Sequence, residues 1–328
     1  MADRIVVAAE QRQGKLNRSS FEIVAVAQAI GKETGWPVDV VLPGYKTFAL
    51  AQEFSGQAVA RVYSLEAPAL EEYTSVAYVH ALKGFLSSHP AKLVLFPHSY
   101  QVRDFAPSLA FALDRTLISD TIGYKHEGGK LLFVRQMFQG KFLADVEFSG
   151  EAPWLATVQI GSFRADRIEA GSAPVETVAA AEEAPSRVTP YPVEERAKQA
   201  ADLTQAEVIV AVGRGIREQK NIALAEALAR VLGGEVAASR PICDNEWMPF
   251  EKQIGSSGQT VAPKLYVAIG ISGATQHLVG MKGSRTIVAI NQDAEAPIFE
   301  IADYGIVGNL FEIVPALTEE VKKAKKLT

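Results

Sequence analysis

Four short turns in the second half of the chain combine glycine with hydroxyl, amide or guanidinium side chains. They are Gly213-Arg214-Gly215, Ala238 to Pro241, Ile254 to Gln259 and Ser272 to His277. The last turn follows an apolar, strand-forming run (residues 265–269) and precedes a second such run that ends on Asn291. Open parallel sheets bind ligands at the carboxyl ends of their strands, where helix N-termini also offer free N–H groups to anions. The pattern therefore predicts a nucleotide site for a large anionic ligand.

The same turns contain no recognisable catalytic machinery. No Ser, Cys or Asp lies at a spacing that would complete a triad with His277, and the segment Gly270 to Gly273 is not a nucleophile elbow. A lone histidine beside a helix start more often forms structural hydrogen bonds. The Gly213-Arg214-Gly215 turn lacks the third glycine of a dinucleotide fingerprint, which argues against a standard NAD site. A bound redox cofactor would supply the missing chemistry.

The composition is that of a soluble globular protein. Of 328 residues, 48% are hydrophobic and 22% are charged, and the formal net charge is −5. The chain has no basic stripe, so we expect no nucleic-acid partner. The single cysteine, Cys243, excludes intrachain disulfides and thiolate-ligated metal clusters. Five scattered histidines show no metal-ligand spacing, so no metal site is predicted.

The N-terminal segment MADRIVVAAE begins directly with a strand pattern. It has neither the apolar core of a secretory signal nor the amphipathic pattern of an organellar transit peptide. No apolar run approaches the roughly 20 residues that span a bilayer. We therefore expect a cytoplasmic protein of bacterial type, without direct membrane insertion.

The first half of the chain alternates strand and helix patterns, which predicts a parallel α/β sheet. The strand patterns are 4–8, 38–42 and 92–97, and the helical patterns are 21–34, 73–86 and 105–113 with a start at Arg103-Asp104. Between Lys130 and Ile160, three further strand patterns with glycine turns follow one another. We expect all three to form an antiparallel extension of the first sheet.

Residues 165–207 are rich in Ala, Glu and Pro and lack a sustained apolar face. This composition predicts a surface connector between two domains. We place the domains at residues 1–190, with the connector at the end, and 191–328. The second contains a strand at 208–212 and helices at 221–232 and 310–326. The predicted fold class is α/β, with two mainly parallel sheets, each flanked by helices.

Taken together, these residues resemble a known family. The segment LYVAIGISGATQHLVGMKGSRTIVAIN (265–291) is similar to the signature of the electron transfer flavoprotein α subunit, and the resemblance continues through DAEAPIFEIADYGIVGNLFEIVP (293–315). It covers nearly all of the second domain. The first domain resembles the family more loosely, in its opening strand and in ISDTIGY (118–124).

The resemblance implies a heterodimer with a β subunit and one FAD, held mainly in a Rossmann-like C-terminal domain. The β subunit would carry AMP or a second FAD. The flavin of such proteins takes electrons from acyl-CoA dehydrogenases of fatty acid β-oxidation, or from similar donors, and passes them to a quinone oxidoreductase. This chain would then be an electron carrier and not an enzyme with its own substrate. We expect its first domain to make much of the β-subunit contact.

The resemblance also assigns positions around the FAD. In chain order these are Arg214 (diphosphate side), Ser239 and Arg240 (isoalloxazine), Ile254, Gly255, Ser256 and Ser257 (flavin-enclosing loop), Ser272, Gly273, Ala274, Thr275, Gln276 and His277 (diphosphate cradle, with His277 at the pyrimidine end), and Asn291, Asn309 and Leu310 (adenosine). Two departures from the family pattern stand out. Ser256-Ser257 replaces a common Gln-Thr pair, and Asn309 replaces a common Asp.

Three of these residues are expected to tune the flavin. A guanidinium at Arg240 and a donor at His277 would stabilise negative charge at N1 and O2 of reduced flavin, while a Ser257 hydroxyl would face N5. Two alternatives remain open. The chain could belong to an NADH-oxidising, electron-bifurcating complex, or it could be a nucleotide-binding module without flavin.

Overall fold

The computed structural model describes residues 3–12, 14–138, 140–180 and 203–325. The chain divides into two compact units, unit 1 (residues 1–193) and unit 2 (residues 194–328). The predicted boundary at residue 190, the part of the predicted connector at 181–202, and the predicted helix end at Lys326 all lie outside the described residues.

Unit 1 contains one large sheet and a separate pair of short strands. Its strands are β1 (Ile5–Ala8), β2 (Gln11–Arg12), β3 (Lys15–Leu16), β4 (Val38–Gly44), β5 (Arg61–Glu66), β6 (Leu93–Pro97), β7 (Leu117–Glu127), β8 (Lys130–Met137), β9 (Phe142–Glu147), β10 (Trp154–Val158) and β11 (Val175–Ala179). Its α-helices are α1 (Ser19–Thr34), α2 (Phe48–Ala51), α3 (Ser75–Ser88) and α4 (Tyr100–Leu113). Nine strands form the sheet in the order β11-β5-β4-β1-β6-β10-β7-β8-β9, and β2 pairs with β3 separately.

Helices cover both faces of the parallel part of this sheet. Strands β1, β4 and β6 are buried along their whole length, as expected for parallel strands packed on both sides. Helix α1 adds Ile23 and Ile30 to the core on one face. Helices α3 and α4 add Phe85 and Leu109 to the core on the other. The α/β class and the mainly parallel sheet are thereby confirmed.

The antiparallel part of the sheet contains other strands than the sequence predicts. Strands β7, β8 and β9 pair antiparallel, but β10 is parallel to β6 and to β7 and lies between them. The prediction that all three strand patterns of 130–160 form an antiparallel extension was therefore wrong for the third, which pairs in parallel inside the sheet. Alternating apolar residues identify a strand, whereas its partner is set by packing between residues far apart in the chain.

Part of the predicted connector belongs to the sheet. Within residues 165–207, β11 pairs in parallel with β5, from Val175 opposite Val62 to Ala179 opposite Glu66. Short 3-10 turns form at Ala165–Arg167 and Leu203–Gln205. An edge strand with one exposed face needs few apolar residues, so its composition resembles that of a connector. Helix α4 also begins earlier than predicted, at Tyr100, because the Ser99 side chain accepts a hydrogen bond from the Val102 N–H.

Unit 2 contains a smaller, fully parallel sheet. Its strands are β12 (Val208–Val212), β13 (Glu235–Ala238), β14 (Leu265–Ile269), β15 (Ile287–Asn291) and β16 (Tyr304–Val307), in the order β13-β12-β14-β15-β16. Its α-helices are α5 (Ile222–Leu232), α6 (Arg240–Asp244), α7 (Thr275–Val279) and α8 (Leu310–Ala324). Helices α5, α6 and α8 cover one face. The other face packs against α7 and the loops around Ile254 and Ile298.

Two general searches concern the described residues of both units. No helix among them is both long and apolar enough to cross a membrane. The described His, Cys, Asp and Glu side chains form no group of three or more that could hold a metal ion.

Candidate functional site

The strand order of unit 2 has a switch point between β12 and β14, at the carboxyl ends of these strands. Strand β12 comes first in the chain, yet β13 lies on one side of it and β14 on the other. The connections that leave the carboxyl ends of β12 and β14 therefore run to opposite sides of the sheet. In open parallel sheets this switch point is where ligands bind. All four predicted turns lie at the carboxyl end of this sheet.

The turns after β12 and β14 touch through their backbones. Gly213 N–H donates to the Ile269 carbonyl at 2.8 Å, and Gly215 N–H donates to the Gly270 carbonyl at 3.0 Å. A Cβ atom on Gly213 would lie only 2.3 Å from the Gly270 oxygen. The two glycines of the Gly-Arg-Gly turn are therefore required by turn packing, whether or not a ligand binds.

Further hydrogen bonds join the remaining turns into one continuous rim. Ser239 N–H donates to the Val212 carbonyl at 2.9 Å, which ties the turn after β13 to the end of β12. Ile254 N–H donates to Ala238 at 2.9 Å, and Ser256 N–H donates to Gln276 at 2.8 Å. The structure thus brings together the four segments that the sequence singled out.

Backbone contacts hold the turn before α7 in place, while three of its N–H groups have no acceptor among the described residues. Its Ser272 carbonyl accepts from the Ile298 N–H at 3.1 Å, and Gly273 adopts a φ of 88°, with no space for a Cβ beside the Ile298 nitrogen. The consecutive N–H groups of Ser272, Gly273 and Ala274 donate to no acceptor among the described residues. Three adjacent free donors at a strand end can bind an anion.

Two guanidinium groups stand on the same rim. Arg214 is exposed and forms no ion pair with a described residue. The Arg240 side chain is 68% exposed, and its Nε lies 3.3 Å from Asp244 Oδ2, one helical turn on. This single long contact leaves most of its five N–H donors free. Together with the free backbone donors, these side chains suit a phosphorylated ligand.

Ser257 keeps a proton to donate. Its Oγ accepts a hydrogen bond of 3.0 Å from Nε2 of Gln253, whose side chain is buried. Because the hydroxyl is used here as an acceptor, its own O–H remains available. Ser256 and Ser257 are both exposed, while Ile254 and Gly255 beneath them are buried.

His277 is an interior residue of this site. Only 6% of its surface is exposed, and its Nε2 lies 2.9 Å from the Tyr266 hydroxyl. Burial lowers the pKa of His277 to about 4, with a small opposing effect from the Ile254 backbone. Its Nδ1 is buried and has no partner with hydrogen-bond geometry among the described residues. At neutral pH the imidazole is therefore uncharged and has one unused nitrogen.

Around the predicted adenosine end, the structure limits how side chains can act. The Asn309 side chain caps α8, since its Oδ1 accepts from Phe311 N–H at 3.2 Å and its Nδ2 donates to Glu312 at 2.7 Å. Leu310 is buried in the core. Asn291 Nδ2 donates to the Ile271 carbonyl at 2.9 Å. Any ligand contact by Leu310 would thus be made through its backbone, whereas Asn309 keeps one amide proton and one oxygen lone pair for a ligand.

Sequence reasoning missed three residues that shape the rim. Tyr266 reads as an ordinary strand residue, and Gln253 follows a charged turn, so neither stands out. Arg217 has a left-handed φ of 67°. Its guanidinium lies 5.3 Å from the centre of the Phe311 ring. The Arg217–Phe311 contact joins residues far apart in the chain, so only the three-dimensional arrangement reveals it.

Comparisons with known proteins agree with this geometry. Residues 5–183 match the electron transfer flavoprotein domain, and residues 202–282 match the electron transfer flavoprotein FAD-binding domain. The chain is 38% identical over 326 residues to the electron transfer flavoprotein subunit alpha of Bacillus subtilis, covering 98% of each chain. It is also 38% identical over 314 residues to the protein of that name from Syntrophomonas wolfei, covering 96% of this chain and 98% of the relative.

Proposed function

The chain belongs to the electron transfer flavoprotein family as an α subunit, and we propose that it binds one FAD at the rim of unit 2. It is an electron carrier, and the cofactor supplies the redox chemistry when bound. The observation that carries the proposal is the row of three free N–H groups at Ser272, Gly273 and Ala274. This row lies beside the switch point of the sheet, within the region that matches an FAD-binding domain.

The described residues fit the phosphate and adenosine parts of FAD. The three free N–H groups and the Arg214 guanidinium would hold the diphosphate, because each offers a donor without a protein acceptor. Thr275 and Gln276, exposed at the start of α7, would line the same pocket. Asn291, Asn309 and the backbone at Leu310 would border the adenosine.

The other end of the rim suits a flavin ring. Arg240 and the orphaned Nδ1 of His277 would face the pyrimidine part, where reduction places negative charge. The free O–H of Ser257 would donate to the ring edge, and Ser239 and Ile254 to Ser256 would close the pocket. These side chains bind and orient the ring and set its potential.

We assign the β-subunit contact to the β8–β9 hairpin tip of unit 1. This tip consists of Met137, Phe138, Phe142 and Leu143, whose exposed fractions are 37%, 72%, 65% and 64%. The rings of Phe138 and Phe142 lie 6.0 Å apart. Phe138 has a φ of 51°, an unusual conformation for a bulky side chain. A cluster of exposed apolar side chains at an edge strand supports a permanent protein partner.

The electron donor would be an acyl-CoA dehydrogenase of fatty acid β-oxidation or a similar flavin dehydrogenase, and the acceptor a quinone oxidoreductase. The partner β subunit would hold AMP or a second FAD. Support for these assignments comes from the family alone.

The test uses the heterodimer formed with the β subunit of the same organism. The purified complex, reconstituted with FAD, is mixed without oxygen either with NADH or with a panel of acyl-CoA dehydrogenases and their substrates. The proposal predicts flavin bleaching with a dehydrogenase and none with NADH alone. Rapid bleaching by NADH would instead favour a bifurcating complex, and a complex that stays colourless would favour a nucleotide module without flavin.

A further inference from the structure

We propose that Tyr266 is a positioning residue that donates its hydroxyl proton to Nε2 of His277 and so makes Nδ1–H the donor that His277 offers to the flavin site. The inference rests on the proposed function for the identity of the ligand. The hydrogen bond itself is a property of the chain.

Tyr266 and His277 are both buried beneath the rim of turns. Tyr266 lies on β14 and is fully buried, and His277 lies on α7 with 6% of its surface exposed. The hydroxyl oxygen and Nε2 are 2.9 Å apart, and the two rings are inclined at 61° with their centres 6.2 Å apart. The pair therefore links the strand to the helix that follows it.

Counting protons decides which group donates. Burial raises the pKa of Tyr266 and lowers that of His277, so at neutral pH one phenol proton and one imidazole proton are present. If Tyr266 donates, its proton and the Nε2 lone pair are both satisfied, and Nδ1–H alone remains. If His277 donates instead, the phenol proton and the Nδ1 lone pair are both left buried without partners. Buried polar groups pair wherever they can, so the first arrangement is favoured.

The remaining nitrogen, Nδ1, lies on the side of the loop that encloses the proposed flavin site. Nδ1 is buried and lacks a hydrogen-bond partner among the described residues, next to the backbone of Ile254. Ile254 begins the loop that carries Ser257, the residue proposed to face the flavin ring. A protonated Nδ1 would give this pocket a neutral donor, complementary to the full charge of Arg240.

The experiment measures the His277 tautomer by nitrogen NMR in the heterodimer labelled with isotopic histidine. The His277 signal is assigned as the one that is missing from the spectrum of a His277→Gln complex. In the wild type we expect a protonated Nδ1 and a bare Nε2, both with FAD and after its removal. In Tyr266→Phe, which keeps the ring, we expect the Nδ1–H population to fall and the flavin potential to change.

Tyr63→Phe provides the matched control. Tyr63 is a buried tyrosine of unit 1 whose ring lies 4.9 Å from that of His89, without a hydroxyl-to-nitrogen hydrogen bond. This variant is expected to leave both the tautomer and the potential unchanged. A wild-type His277 protonated on Nε2 would overturn the inference without any variant. So would a Tyr266→Phe complex with an unchanged tautomer.

Failure of the proposed function gives a separate signal. The tautomer is measured without FAD as well as with it, so it does not depend on flavin uptake. A wild-type complex that takes up no FAD on reconstitution overturns the flavin role of His277, whatever its tautomer.

Discussion

At the scale of single residues, Arg240 and His277 contribute different electrostatics to the candidate site. Arg240 is an exposed cation held by one contact to Asp244. His277 is buried and neutral at pH 7. Solvent and salt weaken the interaction of the exposed Arg240 charge with the flavin. They do not weaken the interaction of the buried His277 dipole, so the two side chains can have comparable effects on the flavin.

Arg240→Ala is expected to lower the reduction potential of the bound flavin. Removing the cation takes away attraction for the charge that reduction adds. One pKa unit of such interaction is about 1.4 kcal/mol, which for one electron is roughly 60 mV. Solvent screening of this exposed side chain makes that figure an upper bound. Potentiometric titration of the heterodimer measures the shift.

Arg240→Lys is the matched control for charge, and it is expected to retain most of the potential. If Arg240→Ala and the wild type titrate at the same potential, the tuning role of Arg240 is wrong.

Acid is expected to destabilise unit 2 through His277. Its folded-state pKa of about 4 lies below the ordinary value of 6.5, so on acidification the unfolded chain takes up the proton first. The stabilising contribution is complete above pH 6.5 and is lost as the pH falls towards 4. The loss amounts to about 3 kcal/mol. Urea unfolding followed by Trp247 fluorescence, with Trp36 and Trp154 replaced by Phe, measures it.

His277→Gln in the same background is expected to flatten this pH dependence, whereas His126→Gln in unit 1 is expected to leave it intact. Equal slopes for His277→Gln and its parent would show that another group titrates.

The sequence predicted which residues form this rim better than it predicted their burial. Turn composition and spacing picked out Arg214, Arg240 and the Ser272 to His277 segment. The burial of His277 could not be read from the sequence, because it depends on Tyr266 and Ile254 packing around the ring. The partners of Ser257 and Asn309 lie within four residues of them, so local spacing could have indicated these contacts.

At the scale of elements, the turn between β14 and α7 combines a rigid base with free donors. Gly273 and Ser272 are locked against the backbone of Ile298. The N–H groups above point away from every described acceptor. A site of this kind is preorganised, since binding an anion requires no protein hydrogen bond to break.

Ala274→Pro tests these donors one at a time. Ala274 has a φ of −57°, which proline adopts readily, and its side chain is exposed. The substitution removes an N–H that bonds to no atom of the described residues. The free energy of unfolding should therefore change by less than about 0.5 kcal/mol. Losing one charge-assisted hydrogen bond should weaken FAD binding by about 1.5–3 kcal/mol, or at least roughly tenfold in Kd.

Ala274→Ser, which keeps the N–H, is expected to bind FAD like the wild type. Equal FAD affinity in the proline variant, measured by flavin fluorescence on titration, would remove this turn from the cofactor site.

Element boundaries followed closely from the sequence where the signals are local. Strands at 208–212 and 265–269 and the helix ending before Gly233 agree with the structure. The neighbours of each strand in the sheet could not be predicted from the sequence. The position of β10 between β6 and β7, and the addition of β11 at the sheet edge, depend on contacts across long stretches of chain.

At the scale of the whole molecule, the two units divide the proposed tasks. Unit 2 contains the candidate cofactor rim, and unit 1 contains the exposed hairpin tip. A cluster of exposed apolar side chains often marks a partner surface. We therefore expect assembly and cofactor binding to respond to different mutations.

The double variant Phe138→Ser/Phe142→Ser is expected to weaken binding to the β subunit. These rings contact each other at the tip, and aromatic anchors of an interface often contribute 2 kcal/mol or more. Affinity should fall by at least about tenfold in analytical ultracentrifugation. Phe111→Ser is the matched control, because Phe111 is 88% exposed on α4 away from the tip. If the double variant binds as tightly as this control, the hairpin is not the contact.

The central claim is that this chain carries a redox-active flavin in unit 2. It is tested most directly by the absorbance spectrum of the FAD-reconstituted heterodimer during stepwise anaerobic reduction, with bound flavin counted per α chain. The account predicts one FAD per α chain that bleaches as electrons are added, with reduced occupancy in the Ala274→Pro complex at limiting FAD. A complex that stays colourless after reconstitution would contradict it.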